Sequence, residues 1–166
     1  MLKTPLTRMK KNPKTMITFI FLWILVQILL WAFVYPTIDI SVSPHILWVW
    51  FLSGCSLASL ITAIIAAWKD PGYLTKPDIP FQELLIKFDS TMLCPECEII
   101  WTQRSKHCSI CNWCVEWFDH HCPWINNCVG LKNHTWFLWF LLFTELTLVI
   151  VDVLLIFKIN AYYEVP

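Results

Sequence analysis

The run Asp119-His120-His121-Cys122 places a carboxylate, two imidazoles and a thiol side by side. These are the residue types of a nucleophilic relay. A thiolate attacks, an imidazole takes or returns the proton, and a carboxylate sets the imidazole's tautomer and orientation. Thiolates and imidazoles are also zinc ligands, and the surroundings are rich in both. Seven of the eight cysteines fall between Cys94 and Cys128, interleaved with His107, His120 and His121. Cys94-x-x-Cys97 is one knuckle, and Cys108-x-x-Cys111 and Cys111-x-x-Cys114 overlap as further candidates. A closed structural zinc site takes four ligands. Two sites need eight, and seven Cys with three His supply ten, so two residues are left over. The ligand count does not say which two. Chemistry prefers a relay of Asp119, His120 and Cys122, held rigid by zinc on either side.

A segment this short and poor in aliphatic residues cannot hold itself by a core, so bound metal is expected to supply its folding energy. Cysteines this dense also suit a secreted disulfide module, but the topology below puts them on the reducing side of a membrane. Cys55 stands apart in an apolar run and is expected to pack as a small hydrophobe. Beyond the Cys-x-x-Cys spacings, no internal repeat is expected.

The elements around the cluster are those of an α-helical integral membrane protein. The chain of 166 residues is 57% hydrophobic and 14% charged, against about 45–50% and 25% in soluble domains. Eleven Trp and eleven Phe suit residues near lipid headgroups. A formal net charge of zero gives no reason to expect a nucleic-acid partner. Three stretches, 16–35, 45–68 and 136–157, reach the roughly 20 apolar residues that a transmembrane helix needs. The first is too long, and lacks a small-residue cleavage site, to be a removed signal peptide. Lys3, Arg8, Lys10, Lys11 and Lys14 precede it, and the connection 36–44 has no basic residue. Lys69, Lys76, Lys87, Arg104, Lys106 and Lys132 lie between the second and third spans, and Lys158 follows the third. The positive-inside rule then puts the N-terminal segment 1–15 and the whole of 69–135 in the cytosol, and the stub 158–166 in the lumen.

Within 69–93, Asp70-Pro71-Gly72, Pro77 and Pro80 mark a helix stop and an extended linker. Phe81, Leu84, Leu85 and Phe88 then recur at amphipathic helical spacing. That helix is expected to rest on the membrane surface or against the Cys/His module. In the third span Glu145 and Asp152 share a helix face. They are expected to line a polar cavity or, more plainly, to bond a neighbouring helix (Glu145) and lie near the outer interface (Asp152).

The stretch Cys94-Pro-Glu-Cys97, Arg104-Ser-Lys-His107-Cys108, Cys111, Cys114, Phe118-Asp119-His120-His121-Cys122-Pro123-Trp124, Asn127-Cys128-Val129-Gly130, Asn133 and Phe137 resembles the DHHC-type palmitoyltransferases. Asp70-Pro71-Gly72 is similar to their DPG motif. The resemblance implies a cytosolic zinc-binding Cys-rich domain of short hairpins over 94–135, between the second and third transmembrane helices. It implies one zinc on Cys94, Cys97, His107 and Cys114, and a second on Cys108, Cys111, His121 and Cys128. His120 and Cys122 are then left over, with Asp119 to orient His120 and Cys122 as nucleophile. The implied activity is protein S-acylation: acyl-CoA, such as palmitoyl-CoA, gives its acyl group to Cys122 and then to a juxtamembrane Cys of a protein substrate.

Arg104, Lys106 and Lys132 are candidates for the coenzyme A phosphates, since Trp101-Thr102 replaces the family's basic residue and Pro. The family's fourth span and TTxE motif do not occur before Pro166, so a fragment or a shortened member is expected. Membrane lipid is an expected partner, in a Golgi, ER or plasma membrane. Burying a palmitoyl chain in hydrocarbon is worth on the order of 12 kcal/mol. That favours a nucleophile at headgroup level, and Cys122 lies about fourteen residues before the third span. The main competing expectation is a zinc-finger membrane adaptor that catalyses nothing. A RING-type ligase fits the Cys and His order less well, and three spans with few polar residues offer little to line a channel.

Overall fold

The computed structural model describes residues 13–34, 36 and 43–163. They fall into two units, one of long helices (17–64 and 136–166) and one around the cysteines (1–16 and 65–135).

The helical unit is built on α1 (Pro13–Leu29), which widens into a π turn at Leu30–Val34, on α2 (Ser43–Trp68) and on α4 (His134–Tyr163). Lys14–Phe33, Leu47–Trp68 and His134–Ile156 are long and apolar enough to cross a membrane. The predicted spans thus coincide with helices, although 35 lies outside the described residues, as do 1–12 of the basic N-terminal segment, 37–42 of the first connection and 164–166 of the expected stub. Helix α4 runs on to Tyr163, through most of the stretch expected as a stub. No Gly or Pro interrupts it before Pro166.

Leu30, Leu52, Cys55 and Ile150 form the buried core of this unit, flanked by Val49, Leu146, Val151 and Leu154. Cys55 packs there as a small hydrophobe. Polar contacts add to the apolar packing: Gln27 Nε2 donates to Ser56 Oγ at 2.5 Å, and Ser59 and Thr144 share a bond of 2.7 Å. Glu145 was expected to bond a neighbouring helix, and it does not. Both Glu145 and Asp152 are exposed, and neither finds a hydrogen-bond or ion-pair partner among the described residues. The hydroxyls of α2 and α4 make the interhelical bonds because they lie on the packed faces, whereas the carboxylates point away from them.

The cysteine unit holds a short helix and three hairpins. Helix α3 (Phe81–Lys87) occupies the predicted amphipathic segment, closed by a Lys87–Glu83 ion pair of 2.6 Å. Its buried stripe is narrower than the spacing suggested. Leu84 is fully buried and Phe81 half-buried, whereas Leu85 and Phe88 are exposed. A 3₁₀ turn at Ser90–Met92 leads into β1 (Leu93–Cys94), which pairs antiparallel with β2 (Ile99–Ile100). In the same way β3 (Lys106–Cys108) pairs with β4 (Trp113–Val115), and β5 (His120–Cys122) with β6 (Asn127–Val129).

These hairpins correct the expectation of no repeat. Cys94 pairs with Ile99, Cys108 with Trp113 and Cys122 with Asn127, so each hairpin is the previous one displaced by fourteen positions. Each turn closes on a residue in the left-handed region at the same place: Glu98 (φ 55°), Asn112 (φ 54°) and Asn126 (φ 48°). The second and third hairpins share His107 with His121, Cys108 with Cys122, Asn112 with Asn126, Cys114 with Cys128 and Val115 with Val129, whereas the first shares only Cys94 and Cys97 with the second, so the threefold repeat is faint in the sequence.

Side-chain amides and the Asp-Pro-Gly turn tie the hairpins to the end of α2. Asp70 Oδ1 accepts from the N–H groups of Gly72 and Tyr73, each at 3.0 Å. Gly72 (φ 106°) needs the freedom of glycine there. Burial pushes the Asp70 carboxyl up, but those two N–H groups and Lys132, 3.4 Å away, outweigh it and hold it below its ordinary value. Asn127 Nδ2 donates to the carbonyls of Ala66 and Lys69 at 3.2 and 2.8 Å, and Asn133 Nδ2 to those of Ala66 and Cys128 at 3.1 and 2.8 Å. The bonds to Ala66 and Lys69 satisfy carbonyls that the end of a helix leaves without partners. Gly130 completes the join: a Cβ there would lie 2.5 Å from Val115 Cγ1 and 2.6 Å from the Pro71 carbonyl.

Candidate functional site

Strand alternation sorts the cluster. Successive side chains of a strand point to opposite faces. On β3, His107 lies opposite Cys114, while Cys108 points the other way. On β5, His121 lies opposite Cys128, and His120 and Cys122 share the other face. Two four-residue groups result. Cys94 and Cys97 from the first turn meet His107 and Cys114 of the second hairpin. Cys108 and Cys111 from the second turn meet His121 and Cys128 of the third.

In each group the donor atoms lie within 4.8 Å of one another, an arrangement that could hold a metal ion. The fit to tetrahedral zinc is close. Zn–S near 2.3 Å and Zn–N near 2.0–2.1 Å put a coordinating nitrogen and sulfur about 3.5 Å apart. His107 Nδ1 lies 3.2, 3.6 and 3.8 Å from the sulfurs of Cys97, Cys94 and Cys114. His121 Nδ1 lies 3.3, 3.6 and 3.9 Å from those of Cys111, Cys128 and Cys108. Each group joins two successive hairpins, so an ion in it would staple them together.

Thiols packed this tightly shift one another's protons. Cys111 is drawn down to about 5, chiefly by the Cys128 thiol donating to it at 3.2 Å, against the effect of burial. Cys128 is pushed up because it gives that bond, and burial adds to the effect. Burial likewise raises Cys97 and Cys114. A divalent cation would hold all of them as thiolates. Around the ligands, Trp101 Nε1 donates to Cys114 Sγ at 3.4 Å, and the Tyr73 hydroxyl approaches Cys111 Sγ at 3.6 Å. Both would orient and partly neutralise a metal-bound thiolate. All eight cysteines are free thiols.

Cys122 lies in neither group. It is buried, and it shares its strand face with His120. His120 Nδ1 is 3.5 Å from Asp119 Oδ2. Asp119 itself is held by its N–H donating to the Val129 carbonyl at 3.0 Å. Residues 87–165 match the family model described as DHHC palmitoyltransferase. The chain carries a DHHC palmitoyltransferase domain. Palmitoyltransferase Hip14 of Drosophila melanogaster is 38% identical over 114 residues, 63% of this chain and 16% of that protein. Palmitoyltransferase ZDHHC4 of Mus musculus is 40% identical over 89 residues, 51% of this chain and 26% of that protein. Palmitoyltransferase ZDHHC17 of Rattus norvegicus is 34% identical over 112 residues, 57% of this chain and 18% of that protein. The chain thus spans about a sixth to a quarter of the length of these relatives.

The basic residues near this DHHC domain are dispersed. Arg104 stacks its guanidinium over Trp117 at 4.9 Å, Lys132 faces Asp70, and Lys106 is exposed on β3. One neighbour escaped the sequence reading. His134, the first residue of α4, brings Nε2 to 3.9 Å from Asp119 Oδ2, the same oxygen that His120 faces. No spacing rule pairs residues 119 and 134. The Gly130 carbonyl, which accepts from the His134 N–H at 2.9 Å, sets that geometry.

Proposed function

We propose that this chain is the membrane-embedded catalytic portion of a protein S-acyltransferase that carries a long-chain acyl group on Cys122. The observation that carries the reading is the split of β5: His121 faces Cys128 among the metal-ligand candidates, and His120 and Cys122 face the other way beside Asp119. Cys94, Cys97, His107 and Cys114 hold one zinc, and Cys108, Cys111, His121 and Cys128 the other. Both ions are structural, and their role is to keep the hairpins in register.

In the first half-reaction His120 takes the Cys122 proton, and the sulfur attacks the thioester carbonyl of acyl-CoA. A new C–S bond forms as the bond to coenzyme A sulfur breaks, and the leaving thiolate collects the proton from His120. In the second, a cytosolic Cys of a membrane-associated protein attacks the acyl-enzyme, with His120 again moving the proton. Thioester exchange is nearly isoenergetic, so activation and positioning of the thiol supply the catalysis. Burial of Cys122 supports an acyl-enzyme shielded from water. The three apolar helices hold the domain at the bilayer of a Golgi, ER or plasma membrane, with residues 1–15 and 69–135 in the cytosol and 158–166 in the lumen. Arg104, Lys106 and Lys132 serve the coenzyme A phosphates.

The test is incubation of the purified protein with labelled palmitoyl-CoA. Hydroxylamine-labile label is expected on Cys122, and Cys122→Ala that labels as fully as the parent would overturn the reading. An adaptor would bind zinc equally well and take no label.

A further inference from the structure

The fourteen-residue hairpin repeat gives Cys122 a structural counterpart in each of the other hairpins. Cys94, Cys108 and Cys122 occupy one position, at the end of the first strand and the start of the turn. Three residues on, the first two hairpins hold Cys97 and Cys111, the second thiols of their knuckles. The third holds Ile125, which is 1% exposed. The turns agree in backbone, each ending on a residue with φ near 50°. Cys122 thus sits in a zinc-knuckle frame whose second ligand position is filled by a branched hydrocarbon side chain.

We propose that residue 125 determines whether the Cys122 thiol is a nucleophile or a metal ligand. The two sites show what a complete knuckle needs: paired thiols three residues apart, then an imidazole and a thiol facing each other across the next hairpin. The third frame lacks both parts. Ile125 offers no donor atom, and the positions fourteen beyond His121 and Cys128 are Thr135 and Leu142, both on α4. The backbone that presents a zinc thiolate at Cys94 and Cys108 therefore presents a thiol with no metal at Cys122. The second centre, through His121 and Cys128 on either side of Cys122, holds the frame rigid, and Ile125 keeps cations out.

Exchange of Ile125 for a ligand-bearing residue should turn the nucleophile into a ligand. Ile125→Cys fits the space, since the same backbone holds cysteine at 97 and 111. Its two thiols three residues apart make a half-site for a soft divalent ion, which His120 on the same face of β5 can supplement.

The experiment compares the parent protein, Ile125→Cys, Ile125→His and Ile125→Val during titration with zinc and with cadmium. Metal content, alkylation of Cys122 by iodoacetamide and labelling by palmitoyl-CoA are read in parallel. In Ile125→Cys, metal above two ions per chain is expected. Cys122 should be protected at a zinc concentration about tenfold or more below that needed in the parent, and a mild chelator should reverse the protection. Ile125→His should shift the same way by less, and Ile125→Val should respond to zinc as the parent does. Alkylation and labelling of Ile125→Cys that respond to zinc as in the parent, with no third ion, overturn the proposal. A drop below two ions marks a misfolded variant, and Ile125→His then decides. The labelling arm rests on Cys122 as acyl carrier, whereas the metal and alkylation arms do not. A parent that takes no label but shows the protection pattern in its variants would refute the acyltransferase reading and leave this one standing.

Discussion

Replacing His120 and His121 by alanine, one at a time, should give opposite phenotypes from adjacent residues. His121 Nδ1 lies within 3.3–3.9 Å of three cysteine sulfurs, so His121→Ala removes one of four candidate ligands. A structural zinc contributes about 10–16 kcal/mol to a small folded domain, comparable with or larger than the net stability of about 5–15 kcal/mol of most domains. Loss of that ion should therefore disorder the second and third hairpins, which it joins, and abolish acylation as a consequence. His120→Ala removes a half-buried side chain from the opposite face of the same strand. Its cost in stability should stay within about 0.5 kcal/mol, and both ions should remain. Acylation should fall by about 10²–10⁴-fold, the usual worth of a positioned general base. Metal analysis of purified protein beside a hydroxylamine-sensitive acylation assay separates the two: about one zinc and no label for His121→Ala, two zincs and little label for His120→Ala. Two zincs in His121→Ala, or one in His120→Ala, would refute the strand-face argument.

Gly130→Ala should lower stability by about 1–3 kcal/mol, because its Cβ would overlap Val115 and the Pro71 carbonyl; chemical denaturation of detergent-solubilised protein would detect it. His134→Ala should slow acylation by about two- to fivefold, as expected for a partly exposed ionic contact, and leave zinc content unchanged. Loss of an ion in that variant would show a structural role instead. For Asp70 the folded carboxyl titrates below its unfolded value. Its contribution is thus present above about pH 4 and lost as pH falls through the lower folded value. Asp70→Asn keeps an oxygen for the Gly72 and Tyr73 N–H groups but drops Lys132, so its stability should fall less steeply between about pH 5 and pH 2.

Much of this site was legible in the sequence because its signals are local. Apolar runs of the length of a bilayer announced three helices, and Cys-x-x-Cys knuckles with interleaved histidines announced metal. Asp119, His120 and Cys122 raised a relay by residue type, and that relay stands as the proposal above. The ligand count left two residues over without choosing them, since counting ignores direction. That choice needed the register of β5 against β6, which turns His121 to one face and His120 with Cys122 to the other. Resemblance to a family pointed to the same pair, and the register supplies the physical reason.

Other features depend on contacts between distant residues, which no spacing encodes. Asn127 and Asn133 close the carbonyls at the end of α2 from about sixty residues away. His134 reaches Asp119 across the turn that enters α4. Glu145 and Asp152 were rightly placed on one helix face, but only packing decided that this face is uncovered. The hairpin repeat belongs here as well. Its second and third members share five side chains fourteen positions apart, but the first shares mainly a backbone course and a left-handed turn residue with them, so the threefold pattern emerges once strands are paired. The sequence by itself determined which residue types are present and how many long apolar helices they border. The tertiary structure decided which way each one points, because the faces of short strands are set by pairing.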